Sequence, residues 1–478
     1  MESSKTNLFK NTFIYTFGNL FSRGLSFILL PFYSYFFSAS EFGVYSVIIS
    51  AMTIISTFLN LGLQGIFVKE IAETNNYETR KKIFTSVFQI VLFLHLFFLL
   101  IVSITSDELS YLITSSPNYN FQIVLAFLSI LFYNVSYFSS SFYIALENSS
   151  FLVKITSIAA LVNFISNIIL IGFIKTGING IFYSQILSSI LLIFLSSESI
   201  RQNFYFSFES KIISLLIKSS LPLLASGIFG IMVELIDRIF ILKILGEYEA
   251  GIYSFGYRIA LVYNLFILSF KTSWIPHIMK QKDRLEEELK NHLGRVFTKI
   301  IFFSAFITLS VVFFVDELFD IKIFGVSIFN ESYRESIIVV LPVMLGYLFN
   351  LLMVFYSFAP YFKNKTIHFL YSDLIAFTLN ILFNILLIKR FGIIGAALAT
   401  LIAFMGGAFY LFNYSKRVIV ANYELKKIII IIFSSFIIYL IGKLSNNLFS
   451  EILWICLFLM VGMKTKIIPD NKLSFKIF

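Results

Sequence analysis

Glu41-Phe-Gly43-Val-Tyr45-Ser46 lies between two long apolar stretches, and Glu249-Ala-Gly251-Ile-Tyr253-Ser254 repeats it 208 residues later in the same setting. A second pair follows in the same order. Asn163-x3-Asn167 with Gly177-Ile-Asn-Gly180 returns as Asn380-x3-Asn384 with Gly392-Ile-Ile-Gly395, offset by 217 residues at the asparagines and 215 at the glycines. Two ordered matches at nearly one offset mark an internal duplication. Each offset crosses an even number of apolar stretches, so both copies would enter a membrane in the same direction. Parallel repeats of that kind predict two lobes related by an axis along the membrane normal, a cavity between them, and alternating access by rocking.

The rest of the chain agrees with a bilayer setting. Of its 478 residues 58% are hydrophobic and 13% charged, with 60 Phe and a mean hydropathy of +0.87. Soluble domains carry about twice that share of charge. Apolar runs recur from end to end, and at roughly 20 residues per crossing they read as about 14 transmembrane helices. The first covers 11–37, the seventh and eighth 216–242 and 250–275, the eleventh 366–388, and the last two 428–445 and 448–463. The expected fold is an all-α polytopic membrane protein. Residues 1–213 form an N-terminal lobe of spans one to six, 214–418 a C-terminal lobe of spans seven to twelve, and 419–478 two additional helices. The first stretch is too long for the apolar region of a signal peptide and no small-residue cleavage site follows it. A soluble enzyme, a disulfide scaffold and a nucleic-acid partner are all excluded by this composition. The single cysteine, Cys456, allows neither an internal disulfide nor a cysteine-built metal site.

The net charge of +10 is not spread evenly. With the N-terminus inside, most cations fall on cytoplasmic segments, leaving Lys175, Lys243, Lys322, Arg334, Lys389, Arg390 and Lys443 outside. That bias follows the positive-inside rule and places both termini in the cytoplasm. Gln281 to Arg295 reads as a charged amphipathic helix linking spans eight and nine. Arg23, Arg238, Arg258 and Lys271 fall within spans.

Leu30-Pro31-Phe-Tyr33, Glu41-Phe42-Gly43-Val-Tyr45-Ser46 and Leu61-Gly62-Leu63 resemble the start of Wzx-type polysaccharide flippases of the MATE/MOP superfamily. Asp237-Arg238-Ile-Phe with Gly246 and Glu249 to Ser254 is similar to the seventh and eighth helices of that group. Asn380 to Asn384 with Phe391-Gly392-Ile-Ile-Gly395-Ala-Ala is similar to its eleventh and twelfth. The likeness runs over about 8–420. It implies export of an undecaprenyl-pyrophosphate-linked oligosaccharide from the cytoplasmic to the outer leaflet of the bacterial inner membrane, for O-antigen lipopolysaccharide or capsule assembly. The partners implied are that lipid-linked substrate, the lipid bilayer and the polysaccharide polymerase machinery, with no enzymatic step of its own and no cofactor.

Charges at membrane depth are costly and face a bundle interior or water. In span one, Asn11, Tyr15, Asn19, Ser22, Arg23 and Ser26 make one polar stripe at helical spacing. Glu234, Asp237 and Arg238 share a face in span seven; Ser254, Tyr257, Arg258, Asn264 and Lys271 do so in span eight; Asp373, Asn380 and Asn384 do so in span eleven. The sequence therefore nominates Arg23, Arg238, Arg258 and Lys271 as cations for a pyrophosphate, which guanidinium groups bind bidentately. Asn19, Tyr257 and Asn264 are nominated for the sugars. Arg238 is equally suited to a structural salt bridge with Glu234 or Asp237, and Lys271 and Arg258 to snorkelling. Glu234, Asp237 and Asp373 are the candidates for a coupling H+ or Na+, since a carboxylate in a dry cavity can load and release a cation as access alternates. His95, alone on an apolar span, reads as a packed core residue. No His-rich or metal-ligand constellation is present. A cation-coupled multidrug antiporter, which needs an acidic cavity, and an O-antigen polymerase, which needs a soluble catalytic loop, are the competing readings.

Overall fold

The computed structural model describes residues 2–207, 209–282, 285–445 and 448–467. They divide into two compact units, Met1–Gly251 and Ile252–Phe478. The first unit holds α1 (Glu2–Phe36), α2 (Ala39–Leu59), α3 (Leu63–Glu73), α4 (Tyr77–Ile104), α5 (Ser106–Thr114), α6 (Asn120–Ala145), α7 (Ser149–Asn167), α8 (Asn179–Leu195), α9 (Ser197–Asn203) and α10 (Ser210–Leu245). A π-helical turn, Ile168–Phe173, prolongs α7. α11 (Glu247–Ala260) crosses the division. The second unit continues with α12 (Val262–Met279), α13 (Glu286–Asp320), a short hairpin of β1 (Lys322–Ile323) and β2 (Val326–Ser327), α14 (Ile337–Tyr356), α15 (Phe358–Phe362), α16 (Ile367–Lys416), α17 (Leu425–Ser445) and α18 (Leu448–Lys464).

Every span expected from the sequence lies on one or a consecutive pair of these helices. At 1.5 Å per residue the 50-residue α16 would be about 75 Å long, far beyond the roughly 30 Å hydrocarbon core, so it must be two spans. It breaks at Gly392, whose φ of 58° and ψ of −140° are non-helical. Among the described residues, eight helices are long and apolar enough to cross a membrane, and ten if each bent pair is one span. One such pair, α11 and α12, bends by 42°.

The duplicated glycines explain themselves in the backbone. Gly177 and Gly392, equivalent positions in the two copies, both sit in the left-handed region, with φ of 63° and 58°. Each turns the chain between one span and the next, where a Cβ would be strained. Gly43 and Gly251 meet inside the first unit. A Cβ on Gly251 would lie 1.8 Å from the Ala39 carbonyl oxygen, and one on Gly43 2.1 Å from that of Glu247. Here two helix backbones touch with no room for a methyl group, as small residues permit in membrane proteins. Ser38 caps α2 just before this contact, its hydroxyl accepting from the Glu41 amide while Glu41 accepts from the Ser38 amide in return.

One sequence expectation falls differently. The charged stretch from Gln281 to Arg295 is not a separate linking helix, because from Glu286 onward it is the first part of α13. No Pro interrupts it, and Gly294 packs on the backbone of Asn422, whose side chain donates to Glu287 and Asn291 at 2.9 Å each. The first compact unit ends at Gly251, with α10 packed along α2 inside it.

His95 is fully buried in the first unit. Its Nδ1 bonds the Val91 carbonyl at 2.8 Å and its Nε2 meets the Asn134 amide nitrogen at 3.0 Å. The amide nitrogen can only donate, so His95 is the neutral tautomer with its proton on Nδ1. Asn134 also donates to Ser56 and accepts from Asn60, closing a polar knot in an apolar core.

Candidate transport cavity

Inside the first unit, α1, α6, α7 and α8 enclose a cavity of about 390 Å³. α6 carries Tyr133, Ser136, Tyr137 and Ser140 at three- and four-residue spacing, so one face of an apolar span is polar. The hydroxyls of Ser136 and Ser140 donate to the carbonyls of Tyr133 and Tyr137 at 2.7 and 3.0 Å. That satisfies their protons within the helix and leaves oxygen lone pairs for a guest. α7 and α8 add Asn163, Gln185 and Ser188, with Asn163 donating to Ser188 at 3.4 Å. One turn on, Asn167 accepts from the Tyr33 hydroxyl at 2.8 Å and donates to the Asn163 carbonyl at 2.8 Å. The first copy of the repeated asparagine pair thus ties α1 to α7 behind the cavity. In the second copy Asn384 donates to Asn380 at 3.0 Å, and both are buried.

Among the described residues, no Asp, Glu, Lys, Arg or His lines this cavity. Arg23 stands next to it. On α1, Ser22 and Ser26 face the space, and the exposed Arg23 sits one position along with its charge bearing on Tyr133. The walls offer hydroxyl and amide groups and the paired rings of Tyr133 and Tyr137, 6.4 Å apart between centroids. Such a surface hydrogen-bonds neutral polyols and presents flat apolar faces to sugar rings. A guanidinium beside it supplies a charge-assisted donor for an anion.

The other nominated residues are distributed as follows. Asn19 lies in α1, one turn before Arg23, and its side chain is outside the described residues. Asp237 and Arg238 are buried in α10, and Glu234 is half-buried. Arg238 donates through Nη1 to the backbone carbonyl of Glu234 at 2.6 Å, so the expected i,i+4 partner is met at its main chain. In the second unit Arg258 occupies the last turn of α11, where a cation complements the helix dipole. Asn264 follows the bend on the first turn of α12; Arg258 and Asn264 are both half-buried, whereas Lys271 is exposed. Asp373 is half-buried in α16. Tyr257, nominated for a sugar, is only 1% exposed in this conformation. It accepts a hydrogen bond from Tyr347 at 3.1 Å and packs edge-on against that ring, so it is core of the second unit.

Tyr133, Tyr137 and Gln185 were missed from the sequence. For the two tyrosines the signal is the Tyr133-x2-Ser136-Tyr137-x2-Ser140 spacing, a polar stripe without charge inside an apolar span.

The chain shares its fold with solved MurJ and MATE structures. Over 95% of this chain and 99% of the other it superposes on the lipid II flippase MurJ in an inward closed conformation, with a TM-score of 0.77 and 18% identity. On a mutant form of the Vibrio cholerae MATE transporter VcmN it covers 87% and 97%, with a TM-score of 0.63 and 16% identity. The molecule is a multi-pass membrane protein of that fold. The polysaccharide biosynthesis protein family matches residues 8–282, more than half of the chain, and the chain belongs to it. It is 24% identical over 200 residues to the capsular polysaccharide biosynthesis protein CapF of Staphylococcus aureus, 42% of this chain and 49% of that one. An uncharacterised membrane protein of Methanocaldococcus jannaschii is 27% identical over 188 residues, 38% of this chain and 42% of that one. The chain thus spans about half the length of the curated relatives it matches.

Proposed function

We propose that this protein is a flippase that carries undecaprenyl-pyrophosphate-linked oligosaccharide repeat units from the cytoplasmic to the outer leaflet of a bacterial inner membrane. The observation that carries the reading is Arg23 beside an uncharged, hydroxyl-lined cavity, in a chain of the polysaccharide biosynthesis family. Sugar hydroxyls and a pyrophosphate ask for those two kinds of group side by side. The relatives' names, lipid II flippase and capsular polysaccharide biosynthesis protein, support the same substrate class.

In this reading the protein works by alternating access and performs no chemistry on its cargo. Arg238, Arg258 and Lys271 are further cations for the anion's route, with Asn19 and Asn264 beside them. Glu234, Asp237 and Asp373 serve coupling to H+ or Na+. Both termini face the cytoplasm, and a polysaccharide polymerase takes the cargo on the far side.

The MATE neighbours favour a second reading, a cation-coupled drug antiporter. A cavity wall without carboxylates is poorly suited to a cationic drug. Deleting the gene in its host separates the two. A flippase deletion loses surface polymer and accumulates lipid-linked repeat units inside, and Arg23→Ala fails to complement while Arg23→Lys restores part. Normal polymer with altered drug sensitivity overturns the proposal in favour of the antiporter, and single repeat units at the surface without long chains do so in favour of a polymerase.

A further inference from the structure

We propose that the end of α16 where its two halves begin and finish carries a binding site for the phosphate headgroup of an anionic phospholipid of the cytoplasmic leaflet. The site lies in the second unit, whereas the cavity described above lies in the first. Between the halves lies a second cavity of about 400 Å³. Its polar end is formed by His368, Tyr410, Tyr414 and Arg417, and its deep end by Ile375 and Leu379. His368 Nδ1 bonds the Tyr410 hydroxyl at 2.7 Å, and its ring stacks on Tyr414 with centroids 3.6 Å apart. The wall is therefore built and held before any ligand arrives.

Cations surround the polar end. Lys363, Lys365, Lys416 and Arg417 are exposed, and the charges of Lys365 and Arg417 bear directly on His368. Among the described residues none of the four has a carboxylate within ion-pair distance. Asp373 is the single acidic residue between positions 363 and 423. Lys416 rests over the Phe412 ring at 4.0 Å, whereas Arg417 lines the cavity and the charge of Lys365 acts on His368 at its rim. A cluster of cations without counter-ions is stable where something anionic completes it.

The shape distinguishes a lipid from a soluble anion. From the charged rim the cavity runs to Ile375 and Leu379, and Phe409 beside it is 63% exposed. Polar head at the interface and hydrocarbon below is the profile of an amphiphile. Basic pockets between transmembrane helices on the cytoplasmic side are the usual place for such headgroups.

The internal duplication supplies a control. At the 215-residue offset of the glycine turns, His368, Tyr410, Tyr414 and Arg417 correspond to Val153, Leu195, Ser199 and Gln202. In the first copy Leu195 packs against a small apolar cluster around Leu152, and the Ser199 hydroxyl donates to the Ser139 carbonyl. The counterparts of His368, Ile375 and Leu379, namely Val153, Ala160 and Phe164, line the first cavity, so the groove recurs in both copies while its His, Tyr and Arg groups belong to the second alone.

The test uses the purified full-length protein in detergent, titrated with phosphatidylglycerol, phosphatidylcholine or inorganic phosphate while thermal stability is read. Phosphatidylglycerol is expected to raise the Tm, and the other two to leave it unchanged. Replacing Lys365 and Arg417 together with Gln should shift the midpoint of that titration to about 30-fold more lipid, from a fivefold loss per cation. Both side chains are exposed, so folding is preserved. Lys280→Gln with Lys282→Gln, another exposed cationic pair, should leave the midpoint in place. An equal response to phosphatidylcholine or phosphate, an unchanged midpoint in the Lys365 and Arg417 variant, or an equal shift in the control pair would each overturn the proposal. None of these readouts depends on what the protein transports.

Discussion

Gly251→Ala tests the contact at which the duplicated motif meets itself. The added Cβ would lie 1.8 Å from the Ala39 carbonyl oxygen, whereas carbon and oxygen settle roughly 3.3 Å apart in helix–helix contacts. The backbones must part by roughly 1.5 Å, and neither side can evade by changing rotamer. Overpacking costs about 1–3 kcal/mol where side chains can give way. With backbone on both sides the upper end is expected, about 3 kcal/mol. For a unit of 251 residues that corresponds to a Tm lowered by about 6–12 °C. Heating at one fixed rate, followed by size-exclusion chromatography of the surviving fraction, reads the change. Gly227→Ala is the matched control. Nothing lies within 4 Å of its added methyl group, and a helical Gly replaced by Ala gains about 0.5–1 kcal/mol, so its Tm should hold or rise. Gly43→Ala with Gly251→Ala should cost less than the two separate losses together, because one separation of the helices relieves both clashes. A Gly251→Ala protein as stable as Gly227→Ala would refute the contact and the reasoning built on the repeat.

Gly392→Ala places a Cβ at φ 58° and ψ −140°, a region nearly reserved for glycine, and should cost about 1–3 kcal/mol; the Tm of the variant against wild type checks it. Tyr133→Ala should impair complementation of a deletion strain more than Tyr133→Phe, since the ring is the larger part of what the cavity wall presents. Equal loss in both would assign the role to the hydroxyl. Lys290, 2.7 Å from Glu286, holds that carboxyl below its ordinary range by its hydrogen bond first and its charge second. A depressed carboxylate contributes above its unfolded value and ceases to as pH falls through the folded one. The Tm gap between wild type and Glu286→Gln should therefore be small but constant from about pH 8 to about pH 6 and close in acid below the carboxylate range. A gap that widens in acid contradicts the sign.

Much of this architecture is legible without coordinates because a bilayer makes two demands at once. Spans must be long and apolar, and backbones may approach only where side chains vanish. Gly43 and Gly251 stand out in the sequence for the second reason, and Gly177 and Gly392 because the chain turns there with a positive φ. The charged stretch before span nine was harder to place. Polarity argued for a linker, while the absence of a breaker let one helix run from Glu286 to Asp320.

The cavity was harder still. Charge announces itself in an apolar sequence, so attention goes to Arg23, Arg238 and Arg258, yet the polar part of the wall beside Arg23 is made of Ser, Thr, Tyr, Asn and Gln. Those hydroxyls are inexpensive in a membrane because Ser136 and Ser140 return their protons to the helix that carries them. The same economy hides them from hydropathy. Tyr257 is the contrasting case. It shares a polar stripe with Arg258 and Asn264, but a phenol can end a stripe by pairing with another phenol, as it does with Tyr347. Periodicity identifies a face; whether that face meets a cavity or a neighbouring helix depends on what the neighbour brings to it. In the first unit α6 brings serines, which are too small to fill the space between α1 and α8, and a cavity remains.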